Sequence, residues 1–342
     1  MSEVQVAAPA LARKDFVSDQ EIRWCPGCGD YSILAAIQMV MPKIGKKKED
    51  IVFVSGIGCS SRFPYYMSTF GMHTIHGRAP AIATGLKLAN PNLDVWVITG
   101  DGDSMSIGGN HFIHALRRNV DLKIIIFNNE IYGLTKGQYS PTSQTGLVTK
   151  STPYGSVDRA FMPGSLATGA EASFFARTID TDVKHMQDVF LKAAQHKGTA
   201  VVEVLQNCVI FNDAVHDKYS SKETKEDTTI KIEHGKPLIF GKDKNKGIMI
   251  KGLTPEIVTL GENGISEKDI FIHNENLVDP TYSFMLSRFI YPNFPVPMGV
   301  FRSIPAHVYD RDVRAQVSAQ IEKKGAGDMQ KLLFTGDTWE VK

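Results

Sequence analysis

The sequence predicts an α/β protein built on a doubly wound, mostly parallel sheet. Two observations carry that expectation. Short runs of β-branched and other apolar residues recur between residues 30 and 208, and stretches with helical periodicity separate them. Most of the runs end in Gly, Asp or Asn, and continuous apolar runs of this kind suit strands buried on both faces. Strand and helix alternating through short connections is the pattern of a parallel sheet with helices on both sides.

The elements follow in order. Residues 32–41 carry a helical pattern. Residues 51–54 (IVFV) form the first strand run, which leads to Gly56 and Gly58. A helix is expected over 80–89. The run 95–98 (VWVI) leads to Gly100, and a helix is expected over 109–118. The run 122–127 leads to Asn128-Asn129. A helix over 157–169, a strand over 174–179, a helix over 183–196 and a strand over 201–205 complete the series. In this architecture ligands bind beyond the carboxyl ends of the strands. The unusual residues of this sequence sit at those ends.

The flanks read differently. Residues 1–20 are expected to be a flexible tail. The acidic Glu3 and the lack of a basic residue before the apolar part make a poor signal peptide. Residues 21–215 form the expected ligand-binding domain. Residues 216–249 are charge-rich and read as a linker or excursion. Residues 250–342, with six prolines from Pro255 to Pro305, read as an irregular extension wrapping a partner.

Composition excludes several classes. The 342 residues carry 38 Lys plus Arg against 37 Asp plus Glu, a formal net charge of +1, so no basic excess points to nucleic acid. Hydrophobic content of 42% supports a packed core. No run approaches the ~18 apolar residues of a membrane helix. Four cysteines in this length do not make a secreted disulfide scaffold. A cytoplasmic protein is expected, in which paired cysteines are metal ligands more often than disulfides.

Gly100-Asp101-Gly102 directly follows a predicted strand. Twenty-five residues, enough for one crossover helix, separate Gly102 from Asn128. Neighbouring strand ends therefore bring Asp101 and Asn129 together. A carboxylate and an amide oxygen are hard ligands suited to Mg²⁺. Gly100 and Gly102 let backbone N–H groups approach a diphosphate, and Gly108-Gly109 opens the next helix. This pairing resembles the GDG and NN signature of thiamine-diphosphate enzymes, which implies the diphosphate-binding type of α/β fold. It makes Asp101, Asn129 and the backbone carbonyl of Ile131 the Mg²⁺ ligands.

Cys25-Pro26-Gly27-Cys28 forms a CxxC knuckle; Cys59 and Cys208 follow the first and last predicted strands. Structural Zn²⁺ and a [4Fe–4S] cluster both accept four thiolates, and a redox pair at Cys25 and Cys28 is a third reading. Four thiolates leave zinc no open catalytic position. An iron–sulfur cluster beside thiamine diphosphate, in contrast, has an electron to receive.

WCPGCGD (24–30), GIGCS (56–60), HGRA (76–79), GDGD (100–103), GGNH (108–111) and NNEIYGLTKGQ (128–138) together resemble the β subunit of 2-oxoacid:ferredoxin oxidoreductases. The resemblance covers about residues 20–215. It implies one [4Fe–4S] cluster on Cys25, Cys28, Cys59 and Cys208. Gly58, His76, Asp103, Gly133 and Leu134 are further cofactor-binding candidates by their positions in these motifs. Arg62 and Lys136 are substrate candidates; His111 and His114 are read as structural. No second βαβ series supplies a pyrimidine domain. A larger α subunit is therefore expected to bring the activating Glu and the coenzyme A site, in an αβ or (αβ)₂ assembly, with ferredoxin as electron acceptor. The Gly58–Arg62 segment and the region 274–301 look like the 2-oxoglutarate subgroup; pyruvate or a broad 2-oxoacid range is the alternative. A zinc-stabilised interaction subunit is the alternative from another class. No Gly-x-Gly-x-x-Gly fingerprint is present between a strand and a helix.

Overall fold

The computed structural model of the chain describes residues 11–252 and 254–341. The strands in chain order are β1 (Ile51–Ser55), β2 (Phe70–His73), β3 (Asp94–Gly100), β4 (Leu122–Asn128), β5 (Phe174–Ile179), β6 (Ala200–Leu205), β7 (Thr229–Ile232), β8 (Ile239–Phe240), β9 (Lys246–Lys251), β10 (Thr254–Thr259) and β11 (Val296–Ser303). The helices are α1 (Asp30–Ile44), α2 (Ala79–Ala89), α3 (Asp101–Met105), α4 (Gly109–Arg118), α5 (Pro163–Gly169), α6 (Val183–Gln195), α7 (Asp217–Ser220), α8 (Lys225–Thr228), α9 (Thr281–Ser287), α10 (Tyr309–Lys324) and α11 (Met329–Leu333).

Eight strands form the main sheet in the order β2-β1-β3-β4-β6-β5-β11-β7. The first six are mutually parallel; β11 runs antiparallel to β5 and parallel to β7. Side chains alternate between two cores. Ile124 and Ile126 of β4 pack with α2, α4, α5 and α9. Ile125 and Phe127 face the opposite layer, under α1 and α6. Every β4 residue is buried, and Leu122, Ile124, Ile125, Ile126 and Phe127 supply apolar side chains to the two faces.

The predicted strands and helices of 30–208 are present, with three differences. The α5 helix starts at Pro163 rather than at 157: proline pushes the residue before it into extended backbone, and Met162 stands at φ −113°, ψ 106°. The fully exposed edge strand β2 has no alternating pattern to reveal it. The five-residue α3 begins inside the GDG motif itself.

The flanks depart further from expectation. Residues 1–10 of the expected tail lie outside the described residues, but within 11–20 Phe16 is fully buried under α1. The expected linker 216–249 contributes β7 to the main sheet, with Ile230 and Ile232 buried and Lys231 exposed between them. The expected extension contributes β11, inserted between β5 and β7. Pro297 and Gly299 disguise this strand. Gly299 sits at φ +138°, where a Cβ would lie 2.3 Å from the Ile232 carbonyl oxygen. The register shifts between Val300 and Arg302. The main sheet thus runs past the expected boundary at 215.

Candidate active site

The carboxyl ends of β1, β3, β4 and β6 open into a cavity of about 670 Å³. Its walls contain Gly58, Cys59, His76, Gly100, Asp101, Gly102, Asp103, Asn129, Ile131, Gly133 and Leu134, so these sequence-predicted residues do meet. Among the described residues no Lys or Arg lines it.

Asp101 is 2% exposed and accepts hydrogen bonds from Ser140 Oγ and Thr142 Oγ1, each at 2.5 Å. Burial still pushes its carboxyl up to about 6, because the two hydroxyls only partly replace water. Asn129 is held by Gln206, whose Oε1 accepts from Asn129 Nδ2 at 2.9 Å. The preceding Asn128 turns into the sheet instead. Its Nδ2 donates to Glu203 Oε1 at 2.8 Å, and Glu203 pairs with the buried Arg177 at 2.8 Å.

Two of the small residues have steric causes. A Cβ on Gly102 would lie 2.2 Å from the Tyr132 ring, whose hydroxyl donates to the Gly102 carbonyl at 3.1 Å. A Cβ on Gly77 would lie 2.3 Å from Gly108 N, so the loops before α2 and α4 touch through backbone. Gly108 therefore serves loop packing, and neither it nor Gly109 reaches the cavity wall. Asp103 ties these loops together. Its Oδ1 accepts from Gly77 N (2.7 Å) and Ile57 N (3.1 Å), and its Oδ2 accepts from Thr99 Oγ1 (2.7 Å). Its carboxylate is consumed by positioning the wall.

The cysteines gather beside this cavity, and all four are free thiols. Gly27 at φ +84° makes the CxxC turn, closed by Cys28 N donating to the Cys25 carbonyl at 3.0 Å. Gly29 N donates to the Asn207 carbonyl at 3.2 Å and fastens the knuckle to the loop after β6. Trp24 Nε1 donates to the Cys59 carbonyl at 2.7 Å. The Cys208 and Cys59 sulfurs flank Gly133, where a Cβ would stand 3.5 and 3.7 Å from them. Burial, then the charge of Asp30, pushes the Cys28 thiol far up and the Cys59 thiol up to about 12. Among the described residues no three His, Cys, Asp or Glu converge on a single ion position.

The two substrate candidates do not line this cavity. Arg62 Nε donates to the Tyr66 hydroxyl at 2.9 Å, and its guanidinium lies 5.9 Å from the Tyr65 and Tyr66 ring centres, off the cavity wall. Lys136 is exposed on a left-handed turn at φ +76°, also off the wall. Sequence reasoning missed Ser140, Thr142 and Gln206. Gln206 joins the two halves of the site, because its Nε2 also donates to Cys28 Sγ at 3.3 Å. The Ser-Pro-Thr-Ser run at 140–143 was the only local signal for the first two.

Residues 56–204 match the family described as thiamine pyrophosphate enzyme, C-terminal TPP binding domain. A 2-oxoglutarate oxidoreductase subunit KorB of Mycobacterium tuberculosis is 53% identical over 331 residues, spanning 96% of this chain and 88% of the relative. The chain belongs to the β subunits of the 2-oxoacid:ferredoxin oxidoreductases. A β subunit from Saccharolobus solfataricus is 47% identical over 58% of this chain and 66% of its own. The solved 2-oxoglutarate:ferredoxin oxidoreductase from Magnetococcus marinus, with 2-oxoglutarate, coenzyme A and succinyl-CoA bound, superposes at a TM-score of 0.77. It is 29% identical and covers 99% of this chain and 100% of that one. This β subunit is therefore an oxidoreductase component on a thiamine-diphosphate α/β fold, and its designation implies an α subunit. No helix among the described residues is long and apolar enough to cross a membrane.

Proposed function

We propose that this β subunit serves the oxidative decarboxylation of 2-oxoglutarate with coenzyme A to succinyl-CoA and CO₂, or the reverse carboxylation. Electrons would leave through one [4Fe–4S] cluster to ferredoxin. The observation that carries the reading is a single cavity whose wall holds both Asp101 with Asn129 and Cys59, in a chain 53% identical to a 2-oxoglutarate oxidoreductase subunit.

The residues present fit the cofactors. With no Lys or Arg of the described residues on the wall, a diphosphate needs a divalent cation for counter-charge, and the buried Asp101 needs the same cation. Asp101, Asn129 and the Ile131 carbonyl would hold Mg²⁺; Cys25, Cys28, Cys59 and Cys208 would hold the cluster. Thiamine diphosphate, when bound, supplies the electron sink that lets a 2-oxoacid lose CO₂. The protein's part is placement. Ser140 and Thr142 orient Asp101, Gln206 orients Asn129, and Asp103 shapes the wall. Tyr132 packs over Gly102 and its hydroxyl donates to the Gly102 carbonyl, fixing the backbone there. Since Arg62 and Lys136 stand off the wall, the carboxylates of the substrate are assigned to groups of the α subunit, together with the activating Glu and the coenzyme A site.

The test is turnover of the co-purified complex with coenzyme A and a one-electron dye. Oxidation of 2-oxoglutarate at least tenfold faster than of pyruvate, by a brown protein that bleaches on reduction, is the expected result. Equal rates would overturn the substrate. Colourless protein with stoichiometric zinc would overturn the redox role and favour the zinc-stabilised subunit.

A further inference from the structure

The charged segment 222–244 has no part in the site described above, yet it lines a large opening of its own. This cleft, about 1180 Å³, carries Lys222, Lys225, Lys231, Lys236, Lys242 and Lys244, all exposed. Four carboxylates share its walls: Asp182, Glu226, Glu233 and Glu267. Only Lys231 among the six lysines has a carboxylate within ion-pair distance among the described residues, Asp182 at 3.8 Å. Five ammonium groups are thus left facing solvent in one concavity, which concentrates positive potential.

The cleft is continuous with the cysteine group. A groove of about 450 Å³ contains Gly27, Cys28 and Gly29 among its walls, and it shares Ile179, Thr181 and Ser220 with the lysine cleft. The cofactor cavity shares no wall residue with either of them. Cys59 faces the cavity and Cys28 faces the groove. The cysteine group therefore stands between the place where electrons would originate and a basic surface.

We propose that this lysine cleft is the docking surface for the acidic protein that carries electrons away. The inference rests on the cluster assignment made under the proposed function. One electron leaves the reduced cluster, which is oxidised by one, and the carrier's centre is reduced by one; no atom or proton is transferred. An acidic protein matches the unpaired lysines. Its approach along the groove leads to Cys28 rather than to the cavity, which sets it apart from an anionic co-substrate that must reach the cofactor. Charges at such a surface act mainly on encounter rate and salt dependence.

The experiment uses the complete complex, with Lys222→Gln, Lys225→Gln, Lys236→Gln, Lys242→Gln and Lys244→Gln combined. The KM for an acidic ferredoxin should rise about tenfold, and its dependence on ionic strength should flatten. Turnover with a viologen dye should stay at the wild-type level. An unchanged ferredoxin KM would overturn the proposal. So would loss of the α subunit from the variant complex, or a raised KM for coenzyme A with ferredoxin kinetics intact. Titration of ferredoxin into the complex by calorimetry repeats the comparison without turnover. A wild-type complex inactive toward 2-oxoacids would thus overturn the proposed function separately from the docking surface.

Discussion

Gly102 illustrates what a motif means at the scale of one residue. The spacing of GDG and NN marks it as a backbone donor near an anion, but its neighbour is an aromatic ring 30 positions away in sequence. Gly102→Ala places a methyl group 2.2 Å from the Tyr132 ring and forces that ring to move. Overpacking of this kind costs about 1–3 kcal/mol. The expected outcome is a lower melting temperature and at least tenfold weaker retention of thiamine diphosphate by the complex. Gly109→Ala, with no atom within 4 Å of the new Cβ, is the control and should bind normally. Equal behaviour of the two variants would refute the steric account. The acids of the motif divide in the same way. Asp101 and Asp103 are two residues apart and both buried. Only the folded contacts reveal that Asp103 is spent on Gly77 and Ile57, while Asp101 receives two hydroxyl donors and stands on the cavity wall.

At the scale of elements, legibility followed burial pattern. The strands β1, β3, β4, β5 and β6 are uniformly buried or nearly so, and the apolar runs within them show it. The two outer strands, β11 and β7, were hidden by Pro297, Gly299 and the alternating lysine, since their place depends on pairing across long sequence separation. His273 helps hold this outer part. Its ring nitrogens lie 2.8 Å from the Tyr282 hydroxyl on α9 and 2.7 Å from the Val300 carbonyl on β11. Burial pushes its pKa down to about 4, against the carbonyl's opposing pull. The folded form therefore stays neutral while the unfolded chain takes up a proton below about 6.5. The stability this histidine lends is complete above pH 6.5 and is lost as pH falls from there through about 4, amounting to about 3 kcal/mol. His273→Gln should flatten the fall in urea midpoint between pH 6.5 and 4, although His196 and His216, also pushed down to about 4, keep part of it. An unchanged slope would remove His273 from the account.

At the scale of the whole molecule, the C-terminal stretch of the described chain stands apart from the core. Every residue from 315 to 341 is exposed, including Leu332, Leu333, Phe334 and Trp339, each at least 66% accessible. Apolar side chains so exposed mark interaction surfaces in soluble proteins. The prediction is that this stretch contacts the α subunit. Ending the chain after Gly325 should leave the melting temperature and iron content unchanged, because the described residues removed are all exposed. Association with the α subunit should weaken at least tenfold in size-exclusion co-elution. Undiminished association would place the contact elsewhere, and a fall in melting temperature would contradict the exposure.

The amino-acid sequence by itself determined the fold class, the five inner strands and the neighbourhood of Asp101, Asn129 and the four cysteines. Those features depend on local composition and on loop lengths that one crossover must satisfy, and both are written along the chain. Tertiary structure alone decided which polar groups support them and which candidates miss the cavity. Ser140, Thr142 and Gln206 reach Asp101, Asn129 and Cys28 across 39 to 178 residues of sequence, and no local pattern encodes such a contact. Arg62 and Lys136, close in sequence to the motifs, turn away because ring contacts with Tyr65 and Tyr66 and a left-handed turn direct them elsewhere. Side-chain direction is set by packing and backbone conformation, which only the folded chain supplies.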